Sequence, residues 1–302
     1  MTPPVPLSVG FLGLGAIGTP MATHLARRYP LTVWNRTRNR AETFVSTHPA
    51  RLAGTPAEVA AASNVIITCL PTSAEVTALF EGSDGLARNL APGALWIDCT
   101  SGDPQASRRL AARLAERAVA FADAPVSGGT NGAEAGTLTV MVGAEPAIFA
   151  RAREVLGAFA SRVEHMGPVG TGHAMKAVNN ALLAVHILAL AEGLAALVKT
   201  GVAAGKAVEV LNASSGRSFV SEVLVPERVL TGAWPNTFRL ALLEKDVGIA
   251  VRLLDQTEVG GPMLHLTGEL FRVTRARLGE RADYLEAIKL IEEDAGIVLR
   301  DH

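Results

Sequence analysis

The chain has 302 residues, of which 49% are hydrophobic and 19% charged, with 28 basic side chains against 29 acidic ones. This length is enough for two domains of ordinary size, each with its own core. The near-neutral charge gives no electrostatic basis for binding nucleic acid or an anionic membrane, so neither is an expected partner.

The first residues, MTPPVPLS, have neither the charged segment nor the long apolar segment of a secretory signal, and they lack the arginines of a mitochondrial presequence. The most apolar stretch, residues 181–198, carries a histidine and a glutamate, which predicts a buried helix rather than a membrane span. Cys69 and Cys99 lie in apolar, strand-like surroundings without a CxxC motif or a Cys/His cluster. This pattern predicts free thiols in a reducing compartment, no metal site and a cytoplasmic location.

Short β-rich runs alternate with helical patterns through about residue 167. Helices are predicted at residues 55–62, where Thr55 and Glu58 have the spacing of a capping box, and at residues 103–118. The alternation predicts a Rossmann-like α/β domain with a doubly wound, mostly parallel sheet. The predicted strands are residues 7–12, 31–35, 64–69, 94–99, 119–124 and 138–143.

The pattern changes after the glycine-rich segment MGPVGTG, residues 166–172. From His173 onward the chain shows helical periodicity broken by glycine and proline, with no convincing strand. We therefore predict a nucleotide-binding domain over residues 1–167, followed by an all-α domain over residues 168–302.

The first predicted strand runs into GLGAIG, a GxGxxG motif that precedes a helical pattern. Gly13 would allow a tight turn, Gly15 would let the backbone approach a pyrophosphate, and Gly18 would let the helix pack on the strand. The pyrophosphate would then meet the positive end of the helix. The predicted dinucleotide contacts are Gly13, Leu14, Gly15, Ala16, Ile17 and Gly18.

The end of the second strand favours NADP over NAD, although NAD stays an alternative. Asn35 stands where NAD-binding folds usually carry an acid for the ribose 2′-hydroxyl, and Arg36 supplies a planar cation for a 2′-phosphate. Thr37 adds a hydroxyl donor. An alternative interpretation is that Arg36, Arg38 and Arg40 form a solvated basic loop.

Ser127, Gly128 and Gly129 directly follow the end of a predicted strand, where open α/β sheets bind their ligands. A hydroxyl and two unobstructed backbone N–H groups are a suitable receptor for a carboxylate. We therefore predict that this loop binds the substrate carboxylate, with a purely structural turn as the alternative.

Two lysines interrupt apolar helical patterns farther along the chain. Lys176 and Asn180 share one helix face, and no further charge follows until Glu192. A buried ammonium is costly, so Lys176 is predicted to act in proton transfer rather than in solubility. Lys245 and Asp246 interrupt a second helix, and a surface ion pair is the alternative interpretation for them.

A series of motifs runs in order through nearly the whole chain: VGFLGLGAIGTPMA, WNRT, CLPTSAEV, IDCTSGDP, DAPVSGGTNGAEAGTLTVMVGA, GPVGTGHAMKAVNN and LLEKDVGIA. Together they resemble the β-hydroxyacid dehydrogenase family, which includes 3-hydroxyisobutyrate dehydrogenase and the tartronate, glyoxylate and succinic semialdehyde reductases. The resemblance implies NAD(P)-dependent hydride transfer on a small carboxylate substrate. It also implies homodimers or homotetramers built through a helical domain.

The resemblance assigns roles residue by residue. It makes Lys176 the catalytic lysine, Asn180 its substrate-orienting partner and Ser127 with its glycines the carboxylate loop. It places Lys245 near the nicotinamide, with Asp246 beside it among the substrate-binding residues. It also assigns cofactor contacts to Leu70, Pro71 and Ser101.

The sequence departs from the family pattern at one segment and argues against two subfamilies. The family's Asp-x-Ser-Thr reads Asp98–Cys99–Thr100–Ser101 here, with the two hydroxyl residues exchanged. Thr100 therefore alters the bulk beside the pocket, which bears on the choice of substrate. Leu183 stands where 6-phosphogluconate dehydrogenases carry a glutamate, and Lys176 argues against an imine reductase. A non-catalytic NADP-binding scaffold of the same fold is the alternative function.

Overall fold

The computed structural model describes residues 6–300, which divide into two compact units, the first ending at Lys176 and the second beginning at Ala177. Helix α8 (Thr171–Lys199) runs through this division. The assignment of residues 1–167 to the cofactor and of residues 168–302 to substrate and oligomerisation stays a prediction.

The first unit contains a nine-stranded, mostly parallel sheet. The strands are β1 Val9–Leu12, β2 Leu31–Trp34, β3 Arg51–Leu52, β4 Val65–Thr68, β5 Leu95–Asp98, β6 Ala120–Asp123, β7 Val126–Ser127, β8 Leu138–Gly143 and β9 Ala160–Gly167. Their order in the sheet is β3-β2-β1-β4-β5-β6-β8-β7, with β9 paired to β8. All pairs from β3 to β6 are parallel, whereas β8 runs antiparallel to β6 and β7.

Helices connect the strands and cover the sheet. They are α1 Gly18–Ala26, α2 Arg38–Thr47, α3 Pro56–Ala62, α4 Ser73–Glu81, α5 Pro104–Ala115, α6 Gly129–Ala135 and α7 Pro146–Leu156, with a 3₁₀ turn at Leu86–Arg88. Thr55 caps α3 by accepting a hydrogen bond from the Glu58 N–H at 3.2 Å. The Glu58 carboxylate accepts from the N–H of Gly54 at 2.9 Å, one residue before the position that a capping box requires.

Alternate residues of the central strands enter two different hydrophobic cores. In β1, Phe11 packs in one core and Leu12 in the other, and in β5 Ile97 and Trp96 divide in the same way. Successive strand residues point to opposite faces, so both faces of the sheet are buried, as a doubly wound fold requires. The predicted fold class is therefore confirmed.

Over residues 177–300 the second unit consists of helices and their connecting loops, and its β-structure there is one isolated bridge between Arg239 and Asp283. Pro226 lies inside a π-helical segment, where its missing N–H is incompatible with a regular α-helical ladder. After α8, the helical elements are α9 Ala204–Asn212, the π-helical segment Val220–Leu230, α10 Leu240–Gln256, α11 Pro262–Leu278, the 3₁₀ turn Tyr284–Glu286 and α12 Ala287–Ala295.

Helix α8 is long and apolar enough to cross a membrane by length and composition alone, with a mean hydropathy of 2.2 over its most apolar window. A helix in the core of a globular protein passes the same test. Ala184, Ile187 and Leu194 of α8 lie in the core of the second unit. Leu182 and Leu197 are exposed on the same helix. Helix α8 is thus a core helix that also keeps an apolar face open.

Candidate active site

The glycine turn predicted to bind a dinucleotide lies at the carboxyl edge of the sheet, directly after β1. Gly13 has a φ of +109°, which favours glycine, and a Cβ at this position would collide with the carbonyl oxygen of Cys69. A Cβ on Gly18 would collide with the carbonyl oxygen of Gly13. A Cβ on Gly15, in contrast, would meet no atom within 4 Å.

These environments match the three roles expected of a dinucleotide-binding turn. Two glycines are required by close backbone packing, and the open space at Gly15 is where a pyrophosphate would approach the N-terminus of α1. The turn therefore fits an NAD(P) cofactor. Among residues 6–300, no group of three or more His, Cys, Asp or Glu side chains could hold a metal ion.

Asn35 has a structural role that its position in the sequence does not reveal. Its Oδ1 accepts a hydrogen bond from the Leu14 N–H at 2.9 Å, and its Nδ2 donates to the carbonyl of Thr37 at 2.9 Å. The Asn35 amide therefore ties the glycine turn to the end of β2. Its contact with a ribose stays a prediction. Arg36 is exposed beside it, at the same edge of the sheet.

A buried hydrogen-bond chain holds the loop predicted to lie against the cofactor. Trp96 Nε1 donates to Thr68 Oγ1 at 2.9 Å, and Thr68 Oγ1 donates to Asp98 Oδ1 at 2.8 Å. The same Asp98 oxygen accepts from the Thr100 N–H at 3.1 Å, and Thr100 Oγ1 accepts from the Leu70 N–H at 3.1 Å. The Thr100 hydroxyl is thus hydrogen-bonded to the backbone of the neighbouring loop, and the Thr100 side chain is buried.

The remaining residues of these two loops are accessible to different extents. Pro71 is exposed, whereas Leu70 and Ser101 are half-buried. All three follow the carboxyl ends of β4 and β5, which are neighbours in the sheet. Their predicted contacts with the cofactor stay predictions.

The serine–glycine loop exposes backbone rather than side chains. Gly128 and Gly129 have φ values of +131° and +63°, a region that disfavours residues with a Cβ, and both are exposed. A Cβ on Gly129 would meet no atom within 4 Å. Ser127 is half-buried at the end of β7. The loop can therefore offer a hydroxyl and uncovered amides to an anion.

Lys176 is half-buried and lies near the beginning of α8, at the end of the first unit. No other Asp, Glu, Lys or Arg occurs between Thr171 and Glu192. Lysines are mostly exposed in proteins, so a half-buried lysine on so apolar a stretch of helix is a candidate functional group.

Asn180, Lys245 and Asp246 form a polar cluster in the second unit, in which Asn180 and Asp246 are buried and Lys245 is half-buried. Asn180 Nδ2 donates to Asp246 Oδ2 at 2.6 Å, and Lys245 Nζ lies 2.9 Å from Asp246 Oδ1. Asp246 is 1% exposed, so the solvated surface pair considered as an alternative is wrong. Both carboxylate oxygens contact the chain's own side chains, and a contact between Asp246 and substrate stays a prediction.

The two cysteines are not suited to nucleophilic chemistry. Burial, with a smaller effect of the Asp98 charge, raises the pKa of Cys69 to about 12. Burial also raises the pKa of Cys99 well above its ordinary value. Both thiols are therefore neutral near pH 7 and weakly reactive.

Two buried polar residues near Lys176 were missed from the sequence. Asp123 and His173 are both 0% exposed, and Asp123 accepts hydrogen bonds from the backbone at the beginning of α8. The signal that could have found Asp123 is an acid at the end of an otherwise apolar strand. The sequence gives no comparable signal for His173.

Comparisons with known proteins agree with this architecture. Residues 8–167 match the NAD-binding domain of 6-phosphogluconate dehydrogenase, and residues 170–291 match the NAD-binding domain of NADP-dependent 3-hydroxyisobutyrate dehydrogenase. The chain is 35% identical over 292 residues to 2-(hydroxymethyl)glutarate dehydrogenase of Eubacterium barkeri, covering 96% of this chain and 97% of that protein.

Two 3-hydroxyisobutyrate dehydrogenases are also similar. The human mitochondrial enzyme is 33% identical over 293 residues, covering 95% of this chain and 87% of that protein. The structure of the Mycobacterium tuberculosis enzyme with L-serine has a TM-score of 0.85 at 28% identity, covering 95% of this chain and 99% of that one.

The glycine turn and the sheet define an NAD(P)-binding oxidoreductase with a helical second unit. The matches to both halves of the chain identify it as a member of the β-hydroxyacid dehydrogenase family, of the 3-hydroxyisobutyrate dehydrogenase type. The predicted family, enzyme class and NAD(P) cofactor are confirmed.

Proposed function

We propose that the chain is an NADP-dependent dehydrogenase that transfers a hydride between the nicotinamide and a small hydroxy acid or semialdehyde acid. The observation that carries this proposal is Lys176, a half-buried lysine near the beginning of the apolar helix α8. A lysine held at a fixed position on a helix is suited to general acid–base catalysis, because its ammonium can donate a proton to a substrate oxygen and its amine can accept one.

Hydride exchange at C4 is the chemistry that the nicotinamide supplies when bound. In oxidation, the Lys176 amine takes the proton of the substrate hydroxyl. In reduction, the ammonium donates that proton to the carbonyl oxygen and stabilises its developing charge. The hydroxyl of Ser127 and the exposed amides of Gly128 and Gly129 bind the carboxylate, and Asn180 orients the substrate.

The buried Asp246 carboxylate supports this proposal within the second unit. By accepting from Asn180 Nδ2, it fixes the orientation of that amide, so that the Asn180 oxygen and nitrogen cannot exchange places. Its ion pair with Lys245 similarly holds the ammonium that the family resemblance places near the nicotinamide.

The preference for NADP rests on charges at the end of β2. No carboxylate stands at Asn35 to repel a 2′-phosphate, and Arg36 is exposed beside the glycine turn. A substrate panel with both NADPH and NADH tests cofactor and substrate together. The panel is glyoxylate, succinic, tartronate and methylmalonate semialdehydes for reduction, and 3-hydroxyisobutyrate, L-serine and 2-(hydroxymethyl)glutarate for oxidation.

Lys176→Ala tests the catalytic assignment. We expect turnover to fall by about 10²–10⁴-fold, the usual contribution of general acid–base catalysis, while the Kd for NADPH stays nearly unchanged. Lys206→Ala is the matched control, because Lys206 is exposed and pairs with Glu209 on the surface of the second unit. Wild-type turnover in Lys176→Ala would show that another group transfers the proton.

A non-catalytic NADP-binding scaffold is the alternative. It predicts tight NADPH binding with no consumption of the cofactor on any member of the panel. The buried Asn180–Asp246 bond favours the enzyme, because a scaffold has no need for a costly buried polar cluster.

We also propose that copies of this chain associate through the second unit. Met263, Leu266, Leu270 and Val273 lie along α11 and are 38–60% exposed. Their spacing of three, four and three residues places them on one helix face, as in a helix–helix contact. The occupant of this stripe is a second copy of the chain, since the family resemblance implies oligomers built through the helical domains.

A further inference from the structure

Asp123 is a buried carboxylate that the proposed mechanism does not use. It is the last residue of β6, and none of its surface is exposed. Its Oδ1 accepts from the Gly170 N–H at 2.6 Å, and its Oδ2 accepts from the His173 N–H at 2.8 Å. Both donors belong to the beginning of α8, so one carboxylate caps the helix that carries Lys176.

Two glycines leave the space that the Asp123 carboxylate occupies. A Cβ on Gly143, the last residue of β8, would lie 2.5 Å from Oδ1 of Asp123. A Cβ on Gly172 would lie 2.9 Å from Oδ2 and would collide with the carbonyl oxygen of Met141. Side chains at either position would displace the carboxylate, so the ends of β6 and β8 and the beginning of α8 are mutually fitted around it.

The side chain of His173 provides a second attachment for the same turn of α8. Its Nδ1 lies 2.7 Å from the Oγ of Ser107 on α5, and both residues are buried. A Cβ on Gly102 would lie 2.7 Å from Cε1 of His173, so the ring also packs closely on the loop before α5. Lys176 follows His173 by about one helical turn.

We propose, on the basis of the proposed function, that Asp123 is a positioning residue. Together with the His173–Ser107 contact on the same turn of α8, it sets Lys176 and the Ser127 loop relative to each other. Ser127 follows Asp123 within one short loop, and the Lys176 helix begins on its carboxylate. The two groups assigned to the substrate thus share one rigid reference point. Misplacement of a reacting group by about 1 Å costs on the order of 10²-fold in rate.

The electrostatics fit this role. Burial raises the pKa of the Asp123 carboxyl, while the nearby His173 and the backbone N–H groups partly oppose that rise. A buried carboxylate is costly, and here two backbone N–H groups at the beginning of α8 offset that cost by bonds that an apolar side chain would not provide.

Asp123→Asn tests the inference, with each panel substrate that the wild type turns over. An amide places an N–H₂ group against one of two backbone donors, so one cap bond is lost. We expect kcat to fall by about 10–100-fold, the Kd for NADPH to stay within about twofold, and the isotope effect on kcat with C4-deuterated NADPH to increase. Asp84→Asn is the matched control, an exposed acid paired with Arg88 in the same unit.

The isotope effect separates positioning from mere stability. Loss of folded enzyme lowers the active fraction but leaves the isotope effect and the kcat of each folded site unchanged. A folded Asp123→Asn enzyme with wild-type kcat and isotope effect overturns the inference, even if Lys176→Ala is inactive. Wild-type turnover in Lys176→Ala instead overturns the proposed function.

Ser107→Ala keeps the inference testable if Asp123→Asn does not fold. It preserves the carboxylate and removes the polar partner of His173. We expect this variant to fold, with kcat lower by about 3–10-fold and the same increase in isotope effect. Wild-type kcat and isotope effect in Ser107→Ala would overturn the inference.

Discussion

Alanine substitutions at two glycines of the same turn should have opposite effects on stability, and the substitution that stabilises the fold should weaken cofactor binding. In Gly15→Ala, the new Cβ meets no atom within 4 Å, and the φ of Gly15 lies outside the left-handed region. The folded state is therefore unstrained, and the loss of glycine entropy from the unfolded chain should raise the free energy of unfolding by about 0.4–1 kcal/mol. In Gly18→Ala, the Cβ collides with the carbonyl of Gly13 and lies 3.2 Å from the ring of Phe11.

The collision in Gly18→Ala should lower the free energy of unfolding by about 1–3 kcal/mol, or the Tm by about 2–12 °C. Gly15→Ala places its methyl group where a pyrophosphate would approach the backbone. Loss of one charge-assisted hydrogen bond, worth about 1.5–3 kcal/mol, should raise the Kd for NADPH by about 10–150-fold.

Thermal unfolding followed by circular dichroism and NADPH titration followed by fluorescence measure the two effects separately. The wild type and both variants are compared in the same buffer, with Tm taken without cofactor. Unchanged NADPH affinity in Gly15→Ala would refute the placement of the cofactor on this turn. A Gly15→Ala variant as unstable as Gly18→Ala would refute the packing argument.

Three further predictions concern charge, pH and association. Arg36→Ala should raise the Kd for NADPH by about tenfold and change that for NADH little, measured by fluorescence titration; equal effects would assign Arg36 to the shared part of the cofactor. Because burial raises the pKa of Cys69 to about 12, the free energy of unfolding should fall as pH rises from about 8.5 toward 12. For the same reason, Ellman's reagent should label the thiols only after unfolding. Native labelling at pH 8 would contradict this. Leu266→Glu should leave the far-UV circular dichroism spectrum unchanged and reduce the mass measured by light scattering; an unchanged oligomer would move the interface elsewhere.

The strands that could be predicted are those buried on both faces. Each of the six predicted runs contains a strand, because continuous apolar segments bounded by glycine or polar residues report burial directly. The strands β3 and β7 were missed because each has only two residues. The strand β9 was missed because ASRVEHMG is mixed in polarity and largely half-exposed.

The candidate site divides in the same way between local and long-range features. The glycine turn could be predicted because GLGAIG is a local motif whose steric demands are fixed by its own backbone. The bond between Asn180 and Asp246 joins residues 66 positions apart, so spacing alone cannot reveal it. The hydrogen bond between the Leu14 N–H and the Asn35 amide could not be predicted either, because the sequence does not show which neighbour a polar side chain beside a ligand site binds.

The continuity of α8 limits how this enzyme can be recombined with its relatives. A chain cut after Lys176 would end in a helix stub of fewer than two turns, which is too short to be stable by itself, and its lysine would sit at a fraying end. A hybrid that exchanges substrate specificity should therefore be joined before Gly170, so that the helix is inherited whole. Lys176 would then come from the same parent as Asn180. Asp123, which caps the helix, would come from the other parent.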